Sequence, residues 1–219
     1  MMHRINAAVL GLACLALFAL SPSAGVVSAQ IADPDAGATL QLTTTLIRQS
    51  YCQSDDDLDS VRLEMWFKFT NTSNTPLILQ KGNNLVVHQT VSRNKVDAAA
   101  KLFETGASIT WLSSEGDGHC YQGGKPTSCF VILPPGKSYR LRGAANVFAV
   151  RDETKQISGA VGSGEHVIEV MVPIWPESTE LGNEVRDRWR ASGLLWFKSV
   201  TSDPMPFTIA AQRKVAACR

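Results

Sequence analysis

The sequence predicts a mostly β protein, an antiparallel β-sandwich with one late amphipathic helix. Three observations carry that prediction. Val61, Leu63, Met65, Phe67 and Phe69 alternate with Arg62, Glu64, Trp66, Lys68 and Thr70, the period of a strand with one buried face. Several other apolar runs are cut by turn residues, among them Lys81-Gly82-Asn83-Asn84 and Pro134-Pro135-Gly136-Lys137. One stretch, 178–192, changes to a helical period.

The N-terminal residues 1–29 read as a secretory signal. His3 and Arg4 form a short basic region, and Ala7–Leu20 is an apolar run of about fourteen residues, short for a bilayer span. Pro22 and Ser23 break it, and Val27-Ser28-Ala29 supplies the small residues that precede a cleavage site. The mature chain is then expected to begin at Gln30 and to form a single domain over 30–219. That implies a secreted or periplasmic protein with no integral membrane segment after cleavage. An uncleaved anchor is the alternative. Lipidation at Cys14 is disfavoured, because Gly11-Leu12-Ala13-Cys14 lacks the usual leucine three residues before the cysteine.

Lys and Arg number 21 against 20 Asp and Glu, a formal net charge of +1. Such a balance carries no electrostatic footprint for nucleic acid, and acidic residues are not in excess either. Four cysteines follow the signal: Cys52, Cys120, Cys129 and Cys218. An even number in an exported chain reads as two disulfides, with three pairings open. Cys120 and Cys129 flank a stretch with Gly123, Gly124 and Pro126 that can fold the chain back, so that pairing is favoured. Cys52–Cys218 then follows.

Taken in order, Leu40–Leu46 alternates as a first strand, and 48–60 is expected to be a long connection carrying Cys52. The 61–79 stretch reads as a central hairpin, with Asn71–Pro76 as its turn and Leu77-Ile78-Leu79 as the returning strand. Leu85–Val91, Ile109–Leu112 and Phe130–Leu133 are further strands. Ala98–Phe103 is either one helical turn or a crossing segment. Tyr139 and Leu141 alternate with Arg140 and Arg142, 146–150 adds another strand, and His166–Val172 alternates again. In 178–192, Leu181, Val185 and Trp189 form one stripe. Glu177, Glu180 and Glu184 come early and Arg186, Arg188 and Arg190 late, which suits the helix dipole. Gly193 fits a C-terminal cap. Leu194–Val200 is read as one strand and Phe207–Ile209 as an edge piece.

Two segments resemble the immunoglobulin-like and fibronectin-like modules of exported bacterial proteins. Phe69-Thr70-Asn71-Thr72-Ser73-Asn74-Thr75-Pro76-Leu77 is similar to their central strand and turn. Leu133-Pro134-Pro135-Gly136-Lys137-Ser138-Tyr139, with Gly164-Glu165-His166-Val167-Ile168-Glu169-Val170 later, is similar to the strands that follow. The resemblance implies an immunoglobulin-like sandwich. His166 stands where many such modules place a tyrosine, and their inter-sheet cysteine pair with its tryptophan is absent. Such modules share no chemistry, so no site residue comes with the likeness.

Candidate chemistry is thin. Asp55, Asp57 and Asp59 are the one calcium candidate, but an EF-hand loop would need glycine where Ser60 stands and glutamate where Trp66 stands. A solvated acidic loop is the simpler reading, and no cofactor is expected. His88, His119 and His166 would have to converge to hold zinc. Gly162-Ser163-Gly164 lacks the strand–turn–helix setting of a nucleophile elbow, and no phosphate-cradling loop is present. Asn71-Thr72-Ser73 is a glycosylation sequon on an expected turn.

Trp66 points away from the core side of its strand. If Leu195 and Phe197 face inward, Trp196 also points outward. Were the strands 61–70, 166–172 and 194–200 neighbours in one sheet, Trp66, Met171 and Trp196 would share an outer face. That face is the candidate ligand surface, able to stack sugars or to grip a protein. The competing expectation is that the 178–192 helix covers it. The sequence therefore points to a secreted, disulfide-bonded binding module for an unknown protein or glycan. An exported hydrolase and a structural accessory domain of an envelope assembly are the alternatives.

Overall fold

The computed structural model describes residues 37–81, 84–113, 120–175 and 178–217. The expected signal 1–29, with Cys14, lies outside the described residues, as do His119, Glu177 and Cys218. The described chain is mostly β, in three sheets with two short helices.

The first sheet holds β1 (Leu40–Gln53), β2 (Leu58–Asn71) and β7 (Ser138–Val150) at its centre. Its edges are β13 (Ala216–Ala217) beside β1 and β8 (Ala160–Val161) beside β7. The second sheet runs β10 (Leu194–Leu195), β3 (Leu77–Gln80), β6 (Phe130–Leu133). The third runs β11 (Ser199–Thr201), β9 (Gly164–Pro173), β4 (Asn84–Ser92), β5 (Thr105–Ser113), and β12 (Met205–Ile209) also pairs with β9. Helix α1 is Lys95–Ala99 and α2 is Thr179–Trp189.

The alternation read in 61–69 is present as expected. Val61, Leu63, Met65, Phe67 and Phe69 are all buried. They form one core with Leu77, Leu79 and Leu133 of the second sheet and Val91, Ile168, Val170 and Val172 of the third. All three sheets thus turn an apolar face to the same interior.

Several connections differ from expectation. Residues 48–60 are no long link: β1 continues to Gln53 and meets β2 through a tight turn. Asp55 builds that turn, its Oδ1 accepting from the backbone N–H of Asp57 and of Leu58. The consecutive polar residues Arg48-Gln49-Ser50 hid the strand, because this half of β1 is only partly covered. Tyr139–Arg142 and 146–150 are one strand rather than two.

The central hairpin is not formed. β2 pairs with β1 and β7, while β3 belongs to the second sheet. The Asn71–Pro76 segment is a corner between sheets. Asn71 is fully buried at 0% exposure. Its Nδ2 donates to Thr75 O and Leu133 O, and its Oδ1 accepts from the Ser73 N–H and hydroxyl. Its backbone N–H donates to Lys137 O, and its carbonyl accepts from Gly136 N–H. The side chain meets hydrogen-bonding needs that a ladder would otherwise meet, so the chain leaves the sheet there. The same burial removes the sequon's asparagine from solvent.

Leu194–Val200 is likewise not one strand. β10 pairs parallel with β3, β11 pairs antiparallel with β9, and the residues between them cross from sheet to sheet. Gly193 makes the close entry: a Cβ there would lie 2.7 Å from Pro76 O, and its φ is +145°. This glycine permits the close approach of β10 to β3 at the start of their pairing within the second sheet, and the residue that ends α2 is Arg190.

Helix α2 is capped by the Ser178 hydroxyl, which accepts from Leu181 N–H at 3.2 Å. It lies against the second sheet, not against a sheet that carries Trp66. Val185 and Trp189 join Ile78, Phe130, Trp175, Leu195 and Cys120 in a second buried cluster. Phe130 and Trp189 meet edge-on with centroids 4.8 Å apart. Gly182 faces the Trp175 indole, where a Cβ would sit 3.1 Å from its nitrogen.

Cys120 and Cys129 form the favoured disulfide, with Cα atoms 5.7 Å apart. The loop it closes receives α2: Trp189 Nε1 donates to Gly123 O at 3.0 Å and Arg188 Nη1 to Tyr121 O at 2.8 Å. Cys52 is also disulfide-bonded. Its expected partner, Cys218, falls outside the described residues.

Candidate ligand-binding face

The expected trio of Trp66, Met171 and Trp196 is not brought together. Trp66 lies on β2 of the first sheet and is 40% exposed. Met171, at 37% exposure, lies on β9 of the third sheet. Trp196 is 7% exposed and belongs to the main core, its indole N–H donating to Lys198 O at 2.9 Å. The premise of one shared sheet fails because the corner at Asn71 and the crossing after β10 send neighbouring segments to different sheets. Trp66 and Met171 remain exposed on different sheets, and Trp66 is the aromatic member of the two.

That face is the outer surface of the first sheet, and strand register fixes its neighbours. Thr45, Trp66 and Arg142 form one row across β1, β2 and β7. Thr43, Lys68 and Arg140 form the row on one side. Arg48, Glu64 and Ala144 form the row on the other, followed by Ser50, Arg62 and Asn146. Five cations and one carboxylate leave a net charge of +4 on these rows. Residues on one face of a strand recur about 7 Å apart and neighbouring strands stand about 4.8 Å apart, so these groups share one patch.

Glu64 is the patch's internal counter-ion. Its carboxylate meets Arg142 Nη2 at 2.6 Å and Arg48 Nη2 at 2.7 Å, with Arg62 Nε at 3.7 Å. Hydrogen bonds from Arg142 and then Arg48 hold its carboxyl below the usual glutamate range. The three arginine side chains remain more than half exposed. Lys68 and Arg140 face each other directly across β2 and β7. Among the described residues neither has a carboxylate within ion-pair distance, and the Trp66 ring and indole N–H have no partner.

The other candidates from the sequence have separate local roles. Asp55 builds the β1–β2 turn, and Asp57 pairs with Lys155. Asp59 is 1% exposed and meets Arg151 Nη2 and Arg213 Nε, each at 2.7 Å. Burial alone would raise its carboxyl, but hydrogen bonds and charge from Arg151 and Arg213 outweigh this and hold it below its ordinary value. The three carboxylates therefore point at different partners and do not converge on one cation.

His88 sits in β4 and His166 in β9, opposite Met171 and Phe207 respectively. His166 is buried, with Nδ1 2.7 Å from Glu104 Oε2 and Nε2 3.0 Å from Gly162 O. Glu104 also accepts from Arg93 Nε at 3.0 Å. Two clefts that share Arg93 flank this group, one beside Glu153 and Ser158, the other beside Glu165 and Phe207. Both imidazole nitrogens lie within hydrogen-bond distance of groups of the chain itself.

Sequence reasoning found Trp66 and missed the cations around it. Arg140 and Arg142 lie more than seventy positions away, and only the register of β7 on β2 brings them beside Trp66. Their alternation with Tyr139 and Leu141 was the signal available.

No protein-family model matches the chain. No curated protein matches it. Among solved structures, the chain is similar to a β-glucosidase from Kluyveromyces marxianus at 13% identity and a TM-score of 0.26. That match covers 79% of this chain and only 14% of the enzyme's length, and a likeness of this degree carries no argument about fold or activity.

Proposed function

We propose that this protein is an exported binding or interaction module that meets its ligand on the Trp66 face. In this reading residues 1–29 are removed on export and 30–219 form one domain. Its three sheets take an immunoglobulin-like sandwich arrangement around the shared core. The Cys120–Cys129 disulfide supports export, since such bonds persist in oxidising compartments. The resemblance of the segments 69–77, 133–139 and 164–170 to those of immunoglobulin-like modules supports the sandwich.

One observation carries the functional reading: Trp66 stands 40% exposed in the middle of a paired sheet, ringed by arginines, although a sheet gains stability by covering such a ring. Aromatic and arginine side chains are the residues on which binding energy concentrates. The experiment is a comparison of wild type with Trp66→Ala on arrays of glycans and of purified envelope proteins. Ile132→Ala, which removes an exposed apolar side chain on the second sheet, serves as control. At least one signal should be lost with Trp66→Ala and kept with Ile132→Ala. An array profile indifferent to Trp66 overturns the reading.

A further inference from the structure

We propose that the outer face of the first sheet binds acidic polysaccharide, with Trp66 stacking on a sugar ring while Lys68, Arg140 and Arg142 hold the anionic groups around it. The inference rests on the reading of that face as the ligand surface and adds the chemical class of the ligand.

The charge argument comes from the two sides of Trp66. On the Glu64 side the arginines are partly neutralised by a carboxylate that reaches Arg48 and Arg142. On the other side Lys68 stands directly opposite Arg140, with no carboxylate within ion-pair distance among the described residues. Like charges placed directly opposite each other weaken a sheet. A bound anion removes that repulsion, so the pair is complementary to a ligand that brings negative charge.

The ring narrows the class. A pyranose offers an apolar C–H face for stacking and carries its acidic groups on the rim of the same ring. The face repeats that layout, one aromatic side chain with cations in its own row and in the adjacent rows. A phosphate duplex would be met by the cations alone and would leave a ring set within the sheet unused, and a lipid surface is judged by the vesicle arm of the test below. Single-stranded nucleic acid uses both stacking and charge. Its binders, however, stack successive bases on several aromatic side chains, whereas Trp66 is the single aromatic residue on the rows named above. The disulfide also fits an oxidising compartment outside the cytosol and nucleus.

The test uses the full chain in affinity electrophoresis through gels holding polygalacturonate, dextran sulfate, neutral dextran or single-stranded DNA, with phosphatidylglycerol vesicles in a flotation assay. Polygalacturonate or dextran sulfate should retard the protein, less so with rising salt, and neutral dextran should not. Which of the two retards more separates uronate from sulfate as the favoured group. Trp66→Ala should weaken the retardation about tenfold, and the double variant Lys68→Gln/Arg140→Gln should weaken it at least as much. The double variant should not melt earlier than wild type, since a repulsive pair has been removed. Tighter Trp66-dependent binding to DNA, vesicles or neutral dextran overturns the acidic-glycan assignment and leaves the face as a binding surface. Retardation that both variants leave unchanged overturns the face itself. No retardation by either acidic glycan overturns the assignment, while the glycan and envelope-protein arrays still judge the face.

Discussion

Arg213 Nε lies 2.7 Å from Asp59 Oδ2, and both side chains are almost wholly buried. The pair ties the segment after β12 to the start of β2, and Arg151 completes it from the end of β7. Asp59→Asn would leave two guanidinium groups without their carboxylate. Losing one partner of a buried ion pair costs about 3–5 kcal/mol, so urea midpoints near neutral pH should fall sharply. The pH dependence has a definite sign. The Asp59 carboxyl is held below its ordinary value in the folded chain. Its contribution is therefore present above the unfolded-state pKa of about 3.9 and is lost as pH falls through the lower folded value. The stability gap between wild type and Asp59→Asn should narrow from about pH 6 to about pH 3. A gap constant across that range would refute the pairing.

The corner at Asn71 makes a second prediction. Its side-chain amide bridges Thr75 O and Leu133 O at 2.8 Å each, and its Oδ1 holds Ser73. Asn71→Ala strands these buried partners and should cost about 3 kcal/mol, since each unmet buried group costs about 1–3 kcal/mol. Asn71→Asp keeps the acceptor and loses both donors, so it should also destabilise. In a glycosylating host, peptide mass mapping of the folded fraction should find Asn71 unmodified. A glycan there on well-folded protein is incompatible with the buried amide.

How much of this was legible follows from the kind of signal each element left. The 61–69 strand declared itself because its apolar positions repeat every two residues, and Leu181, Val185 and Trp189 declared the helix by local spacing. The Cys120–Cys129 pairing was legible because a short Gly- and Pro-bearing loop closes it. Sheet membership was not local. Asn71 reads as a turn residue in either a hairpin or a corner, and only its bond to Leu133 decides between them. The same holds for the candidate site: alternation placed Trp66 outward, but the cations beside it come from β7 by register. Trp196 reads as outward from strand parity alone, and the break after β10 turns it into the core.

Phe67 and Lys68 test the alternation at its finest. Phe67 is buried on the core side of β2, and Lys68 is on the outer face one position on. Phe67→Ala should cost about 3–5 kcal/mol through the lost ring and the cavity it leaves. Lys68→Ala should fall within about 0.5 kcal/mol of wild type, and relief from Arg140 makes a small gain the expected sign. Similar midpoint losses for the two would contradict the assigned faces.

Trp189 tests where the late helix docks. Its side chain is at 0% exposure, stacked edge-on against Phe130 and hydrogen-bonded to Gly123 O inside the disulfide loop. Trp189→Ala should cost about 3–5 kcal/mol, as for other large buried aromatics. The loss should not be independent of the disulfide. Cys120→Ser/Cys129→Ser frees the loop that presents Gly123, so the hydrogen bond to Trp189 loses its fixed acceptor. The combined variant should then fall short of the sum of the separate losses by more than about 0.5 kcal/mol, the margin within which independent sites add. Iodide quenching locates the change. In a Trp66→Phe/Trp111→Phe background, where Trp175 and Trp196 are the tryptophans left after Trp189→Ala, that change should make Trp175 quenchable, because Trp175 shares the helix-side cluster. Trp196, in the main core, should stay protected. Strict additivity with the disulfide variant, together with no gain in quenching, would place the helix away from the second sheet and overturn the docking described for it.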